Sequence, residues 1–138
     1  MHTYSPTSQS DLCQSQFRPD DVFIVEDEPV ARRALLYLML SRGYSVSAFA
    51  SAEEAIKAAK RTGVPRVLLV DLHLPGMNGI EFIRHLENAS ATVFPVLITA
   101  AGTEELDRLR GRHPVVCLPK PLDFSRLVGL LEERHRSN

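Results

Sequence analysis

Apolar residues in this chain gather in five short runs, and between the runs their spacing stretches to that of an amphipathic helix. Residues 22–25, 66–70, 95–99 and 115–118 are rich in aliphatic and β-branched side chains, and 44–49 form a shorter, mixed run. Near-continuous apolar runs of this length fit strands of a parallel sheet covered on both faces. Pro29 suits the first turn of a helix, where its missing N–H costs nothing. That helix carries Val30, Ala34, Leu35, Leu38 and Met39, runs to about residue 42, and stops at Gly43. Ser51 with Glu54 three residues on predicts a capping box, followed by the stripe Ala52, Ala55, Ile56 and Ala59. Gly79 precedes a third helix with Ile80, Phe82, Ile83 and Leu86. A short fourth helix covers 103–110, closed by Gly111 and Pro114. Asp123 is the expected N-cap of a fifth, whose buried stripe is Phe124, Leu127, Val128 and Leu131.

Strict alternation of strand and helix predicts an α/β domain, a doubly wound five-stranded parallel sheet with helices on both faces. Residues 1–19, rich in Ser, Gln, Thr and Pro, read as a flexible N-terminal extension, and 20–138 as one domain. A hydrophobic fraction of 44% and a charged fraction of 24% are ordinary for a globular chain. A net charge of -1 argues against a bulk electrostatic grip on nucleic acid or an anionic membrane, so neither is an expected direct partner. No apolar run is long enough to span a bilayer, and residues 1–16 lack the apolar segment of a secretory signal. Cys13 falls in the extension and Cys117 in a strand, so a disulfide between them is not expected, and the chain reads as cytoplasmic.

Four of the strands end on residues capable of phosphoryl chemistry. The first runs into Glu26, Asp27 and Glu28, the third into Asp71, the fourth into Thr99, and the fifth into Pro119, Lys120 and Pro121. Doubly wound sheets bind ligands beyond the carboxyl ends of their strands, where strand order switches. Crowded carboxylates need a proton or a cation. An all-oxygen site open to water suits Mg²⁺, with Glu26, Asp27 and Asp71 as carboxylates and the His73 carbonyl as a further ligand. Asp71 is then the nucleophile toward a phosphoryl donor, Lys120 a second cation on the phosphoryl oxygens, and the Thr99 hydroxyl a hydrogen-bond donor to them. Lys120 is stiffly held between two prolines, and the Lys120–Pro121 bond is a candidate for the cis form. Glu28 reads as a solvated helix-start charge, and Arg32 and Arg33 as a solvated helix face or a surface that docks a partner. His85, His113 and His135 read as exposed.

Taken together, 22–29 (VFIVEDEP), 71–79 (DLHLPGMNG), 96–100 (VLITA) and 118–121 (LPKP) resemble the receiver domain of two-component response regulators. The likeness covers about residues 20–135, and four motifs in order are far more specific than any one. It implies a flavodoxin-like, receiver-type fold. It implies that Asp71 accepts a phosphoryl group from a sensor histidine kinase or a histidine phosphotransfer protein. Asp27 would bind Mg²⁺ directly and Glu26 mainly through water, while Thr99 and Lys120 would bind the phosphoryl group. Phosphorylation would draw Thr99 inward and shift the face of the fourth helix, fifth strand and fifth helix toward a downstream protein target. Such a chain is a phosphoacceptor rather than an enzyme acting on other substrates.

Two departures from the family pattern stand out. Cys117 occupies the position, three before the lysine, where an aromatic switch residue is usual. The stretch from Thr99 to Lys120 is about a residue shorter than common, so a short, tilted or mobile fourth helix and a modified output face are expected. His73 and Ala101, two residues past Asp71 and Thr99, sit where the family tunes loss of the phosphoryl group. Alternatives are a receiver-like docking module that takes no phosphate, or an aspartyl-phosphate phosphohydrolase. The latter would need a second acid where His73 stands. If the chain is complete, output runs through protein contact or onward relay, and if it is a fragment, a DNA-binding or enzymatic domain can follow.

Overall fold

The computed structural model describes residues 2–4, 21–90, 92–111 and 114–136. In chain order the elements are β1 (His2–Tyr4), β2 (Asp21–Val25), α1 (Pro29–Ser41), β3 (Ser45–Phe49), α2 (Ala52–Thr62) and β4 (Val67–Asp71). There follow α3 (Gly79–Ala89), β5 (Phe94–Thr99), α4 (Thr103–Arg110), β6 (Val116–Pro119) and α5 (Phe124–Arg136). The sheet order is β1-β3-β2-β4-β5-β6. From β3 to β6 every pairing is parallel. The expected doubly wound architecture is therefore present, with β2 and β4 adjacent where strand order reverses.

One strand was not expected. His2–Tyr4 lies antiparallel on the outer edge of β3, with His2 opposite Ala48 and Tyr4 opposite Val46. Three residues of mixed polarity carry too little periodicity to be read as a strand. The rest of the expected extension, with Cys13, lies outside the described residues, as does His113.

Successive strand residues feed two separate cores, as the pleat requires. Phe23, Val25, Leu68, Val70 and Leu97 face one side, where Ala55 of α2 and Phe82, Ile83 and Leu86 of α3 cover them. Val22, Ile24, Leu69, Val96 and Ile98 face the other, under Leu35 and Met39 of α1 and Leu127 and Leu131 of α5. Central β4 is buried along its whole length, which is why its sequence reads as an unbroken apolar run. Two apolar positions expected in helix faces are instead exposed: Val30 at 69% and Phe124 at 42%. Both lie in the first turn of their helices.

The helix starts hold the loops in place. Glu28 caps α1, its carboxylate accepting from the amides of Val30 and Ala31. These bonds hold the Glu28 carboxyl below the usual range. Ser51 accepts from the Glu54 amide as expected, while its hydroxyl donates to the Glu54 carboxylate. Asn78 and Glu81 close a reciprocal capping box on α3. The Asp123 carboxylate accepts from the Arg126 amide, as an N-cap should.

Gly79 is where this packing becomes tight. A Cβ there would collide with the backbone carbonyl of Asp71, and the Gly79 amide donates to the Leu72 carbonyl at 2.9 Å. Glycine thus lets the start of α3 press against the strand end that carries the site. Gly129, exposed in α5, has nothing within 4 Å of an added Cβ. Gly79→Ala should cost about 1–3 kcal/mol through overpacking. Gly129→Ala should stabilise the protein by about 0.5–1 kcal/mol, by relieving the entropy a mid-helix glycine loses. Urea unfolding of the two variants checks both signs.

Candidate functional site

The carboxyl ends of β2, β4, β5 and β6 converge, and each delivers a polar residue at its last position or just past it. Glu26 follows β2 directly, and its amide donates to the Phe49 carbonyl at 3.0 Å, continuing the ladder one step past the strand. Asp71 is the last residue of β4 and stands opposite Ile98 of β5, so Thr99 is one step further along. Lys120 follows β6, and its amide donates to the Thr99 carbonyl at 3.0 Å. The Lys120–Pro121 peptide bond is cis.

Glu26, Asp27 and Asp71 each offer an oxygen, and these oxygens lie within 4.8 Å of one another. The Lys120 ammonium bridges two of them, donating to Glu26 Oε1 and to Asp71 Oδ2, both at 2.9 Å. Asp71 Oδ1 accepts from the His73 amide at 3.1 Å. Glu26 Oε2 accepts from the Glu28 amide at 3.2 Å. Glu26 and Asp71 are buried, whereas Asp27 faces solvent. Among the described residues, the Asp27 carboxylate has no side-chain or backbone partner. The donor set is wholly oxygen, crowded on one side and open to water on the other. That chemistry fits a small hard cation that retains part of its hydration shell.

Electrostatics follow from this geometry. Burial pushes the Glu26 carboxyl up, and the nearby Asp71 charge adds to it, against the opposing hydrogen bonds from Lys120 and the Glu28 amide. Burial alone would lower the Lys120 ammonium, but its bonds to Asp71 and Glu26, with their charges, outweigh that and raise it.

Thr99 is buried at the end of β5, and its hydroxyl oxygen accepts from the Ala101 amide at 3.0 Å. That bond uses a lone pair and leaves the hydroxyl proton to donate. Ala101 is half-buried against the core. The His73 ring, expected either on the loop surface or beside the site, pairs through Nε2 with Glu105 of α4 at 3.0 Å. Cys117 is half-buried, bonds weakly to the Val115 carbonyl at 3.6 Å, and has the Arg110 guanidinium 4.0 Å from its sulfur. Burial pushes its thiol up, as expected of an inert small side chain. Helix α4 buries no residue fully. Leu106 and Leu109 only half-cover the core.

Sequence reasoning missed one partner of the site. Arg32, expected on a solvated face, turns back so that Nη1 donates to the carbonyls of Glu26 at 2.9 Å and Asp27 at 3.3 Å. Long helical side chains lean toward the helix N-terminus, which was the available signal. Glu28 is the exposed helix-start charge that was expected, capping α1 and standing outside the acidic cluster.

Comparison with known proteins places these features in a recognisable company. Residues 22–132 match the family model described as the response regulator receiver domain. The transcriptional regulatory protein CreB of Escherichia coli is 35% identical over 92 residues, covering 67% of this chain and 39% of that protein. The phosphate regulon transcriptional regulatory protein PhoB of the same organism is 33% identical over 91 residues, 65% of this chain and 39% of that protein. The chain thus spans about two-fifths of the length of these curated relatives. A receiver domain protein (CheY-like) from Methanospirillum hungatei superposes with a TM-score of 0.75 at 20% identity, covering 83% of this chain and 92% of that one, which shows the fold.

The Lys120 bridge sets a testable pH dependence. The raised Lys120 favours folding fully below 10.5, a contribution lost as pH rises through its higher folded value. The raised Glu26 favours folding below 4.5, a contribution lost as pH rises through its own folded value. Lys120→Met removes the bond and charge that hold Glu26 down, so Glu26 should rise further. The variant should lose about 1–3 kcal/mol at pH 7, the cost of charged acceptors without their donor. Much of that loss should return as pH falls and Glu26 takes up its proton. Denaturant melts of both proteins across pH 4.5–8 read the difference.

Proposed function

The chain belongs to the response regulator receiver domain family, and from that premise we propose that it is a phosphorylation-dependent switch in which Asp71 accepts a phosphoryl group with Mg²⁺ at the acidic cluster. The observation that carries this reading is the double bridge from the Lys120 ammonium to Asp71 Oδ2 and Glu26 Oε1. It aims a cation at the carboxylate oxygen that would carry the phosphoryl group.

The donor is a phosphohistidine of a sensor histidine kinase or a histidine phosphotransfer protein. Asp71 Oδ2 attacks phosphorus, an O–P bond forms, the N–P bond breaks, and the imidazole leaves with its electron pair. Mg²⁺, when bound, supplies positive charge against the transferring oxygens. Asp27, Asp71, Glu26 (mainly through water) and the His73 carbonyl would hold it. The His73 amide bonded to Asp71 Oδ1 fixes the carboxylate plane and leaves Oδ2 as the oxygen for attack on phosphorus. Lys120 must then exchange its carboxylate partner for a phosphoryl oxygen. The Thr99 hydroxyl offers a second donor, at the cost of its bond from the Ala101 amide.

That exchange is the proposed trigger. Thr99 and Ala101 precede α4, and His73 is tied to it through Glu105. A change at Asp71 therefore reaches α4 along two routes, neither of which needs an aromatic ring at position 117. The output is contact with a downstream protein. Among the described residues no helix is long and apolar enough to cross a membrane, and the setting we propose is the cytoplasm. The curated relatives are named as transcriptional regulators.

Incubation with Mg²⁺ and acetyl phosphate should add one phosphoryl group to the intact mass of the wild type and none to Asp71→Asn. Asp27→Asn should slow the gain and reduce its Mg²⁺ dependence. An unmodified wild type with acetyl phosphate and with a histidine-kinase donor, despite measured Mg²⁺ binding, would sink the phosphoacceptor reading in favour of a docking module.

A further inference from the structure

Arg32 makes an unusual use of its charge. It sits one turn into α1, its own amide bonded to the Glu28 carbonyl at 3.0 Å. Among the described residues its guanidinium pairs with no carboxylate. Instead Nη1 donates to two consecutive carbonyls, those of Glu26 and Asp27. These residues contribute two of the three carboxylates in the acidic cluster. The Glu26 carboxylate is already fixed from two sides, by Lys120 and by the Glu28 amide. The Asp27 carboxylate is exposed and has no partner among the described residues. Its placement is therefore inherited from its backbone. That backbone is held by the Glu28 cap on one side and by Arg32 on the other.

We infer that Arg32 is a positioning residue for the cation site: its guanidinium clamps the β2–α1 turn so that the Asp27 carboxylate is already in place when a divalent cation arrives. The inference rests on the reading of the acidic cluster as a cation site. It assigns Arg32 no contact with the ion, the phosphoryl donor or the reacting atoms.

Two effects of Arg32 oppose each other, and this makes the idea decidable. As a positive charge near the cluster, Arg32 repels a cation, so its removal should tighten binding if charge alone matters. As a clamp, it spares the ion the work of ordering the turn, so its removal should weaken binding. Lysine keeps the charge but, on a flexible four-carbon stem, does not hold a nitrogen rigidly where Nη1 meets both carbonyls.

The test is calorimetric titration of Mg²⁺ at fixed ionic strength into the wild type, Arg32→Ala, Arg32→Lys and the exposed neighbour control Arg33→Ala. Amide hydrogen exchange at residues 26–28 is measured without Mg²⁺. Arg32→Ala should bind Mg²⁺ roughly tenfold more weakly, the low end for outer partners of a metal site, with faster exchange confined to the turn. Arg32→Lys should recover only part of the affinity, and Arg33→Ala should match the wild type. Equal or tighter binding by Arg32→Ala, or full recovery by Arg32→Lys, would overturn the clamp. A wild type that binds no Mg²⁺ would overturn the cation reading itself, and with it this inference, before any variant is compared. If Arg32→Ala does not fold, Arg32→Lys against the wild type decides between clamp and charge.

Discussion

Like charges held close together govern this molecule. Three carboxylates offer oxygens within 4.8 Å of one another, and two of the three residues are buried. At such separations a pair of charges repels by about 4 kcal/mol at the effective dielectric of a protein surface. The Lys120 ammonium answers two of them directly, those of Glu26 and Asp71. Everything that places Lys120 therefore bears on whether the strand ends can coexist: the parallel pairing of β6 on β5, the bond from its amide to Thr99, the prolines either side. A domain that maximised its own stability would not keep such a cluster. A bound divalent cation would relieve the repulsion that Lys120 leaves, which is the reading proposed above for the cluster.

Much of this was legible in the sequence, for a definite reason. A central parallel strand must be apolar on both faces, so β2, β4 and β5 announce themselves as unbroken runs, and the first polar residue after each run marks the sheet edge. Glu26, Asp27, Asp71, Thr99 and Lys120 were found that way, and the geometry brings four of these five into direct bonds or one cluster, with Thr99 linked through the Lys120 amide. What escaped was whatever depends on the reach of a long side chain or on too few residues. Helical periodicity gives the direction in which Arg32 leaves its helix, and not the carbonyls its guanidinium returns to. The same holds for the His73–Glu105 pair, joined across 32 positions. β1 is three residues long, and no pattern can be read from three. Val30 and Phe124 failed for the opposite reason: an apolar residue in the first turn of a helix can stand clear of the sheet, where the periodic stripe has nothing to cover.

The helices divide by how they are held. α3 is wedged, its first residue pressed onto the Asp71 carbonyl and Ile80, Phe82, Ile83 and Leu86 sunk in the core. α4 has no fully buried residue and is held largely at its two ends. Glu105 meets His73 near its start, and near its close the Arg110 carbonyl accepts from Arg84. Cys117, under that end, is too small to fill the role of a ring that changes places, and Arg110 lies across it.

Among the described helices α4 alone has no fully buried residue, and a helix with little apolar surface to expose opens locally at low cost. In the switch proposed above, a change at Asp71 would act on a helix with little buried surface to fix its placement, and signal strength would be graded by small polar contacts rather than by one side chain flipping between two rotamers. Single surface substitutions on α4 would then retune it without touching either core.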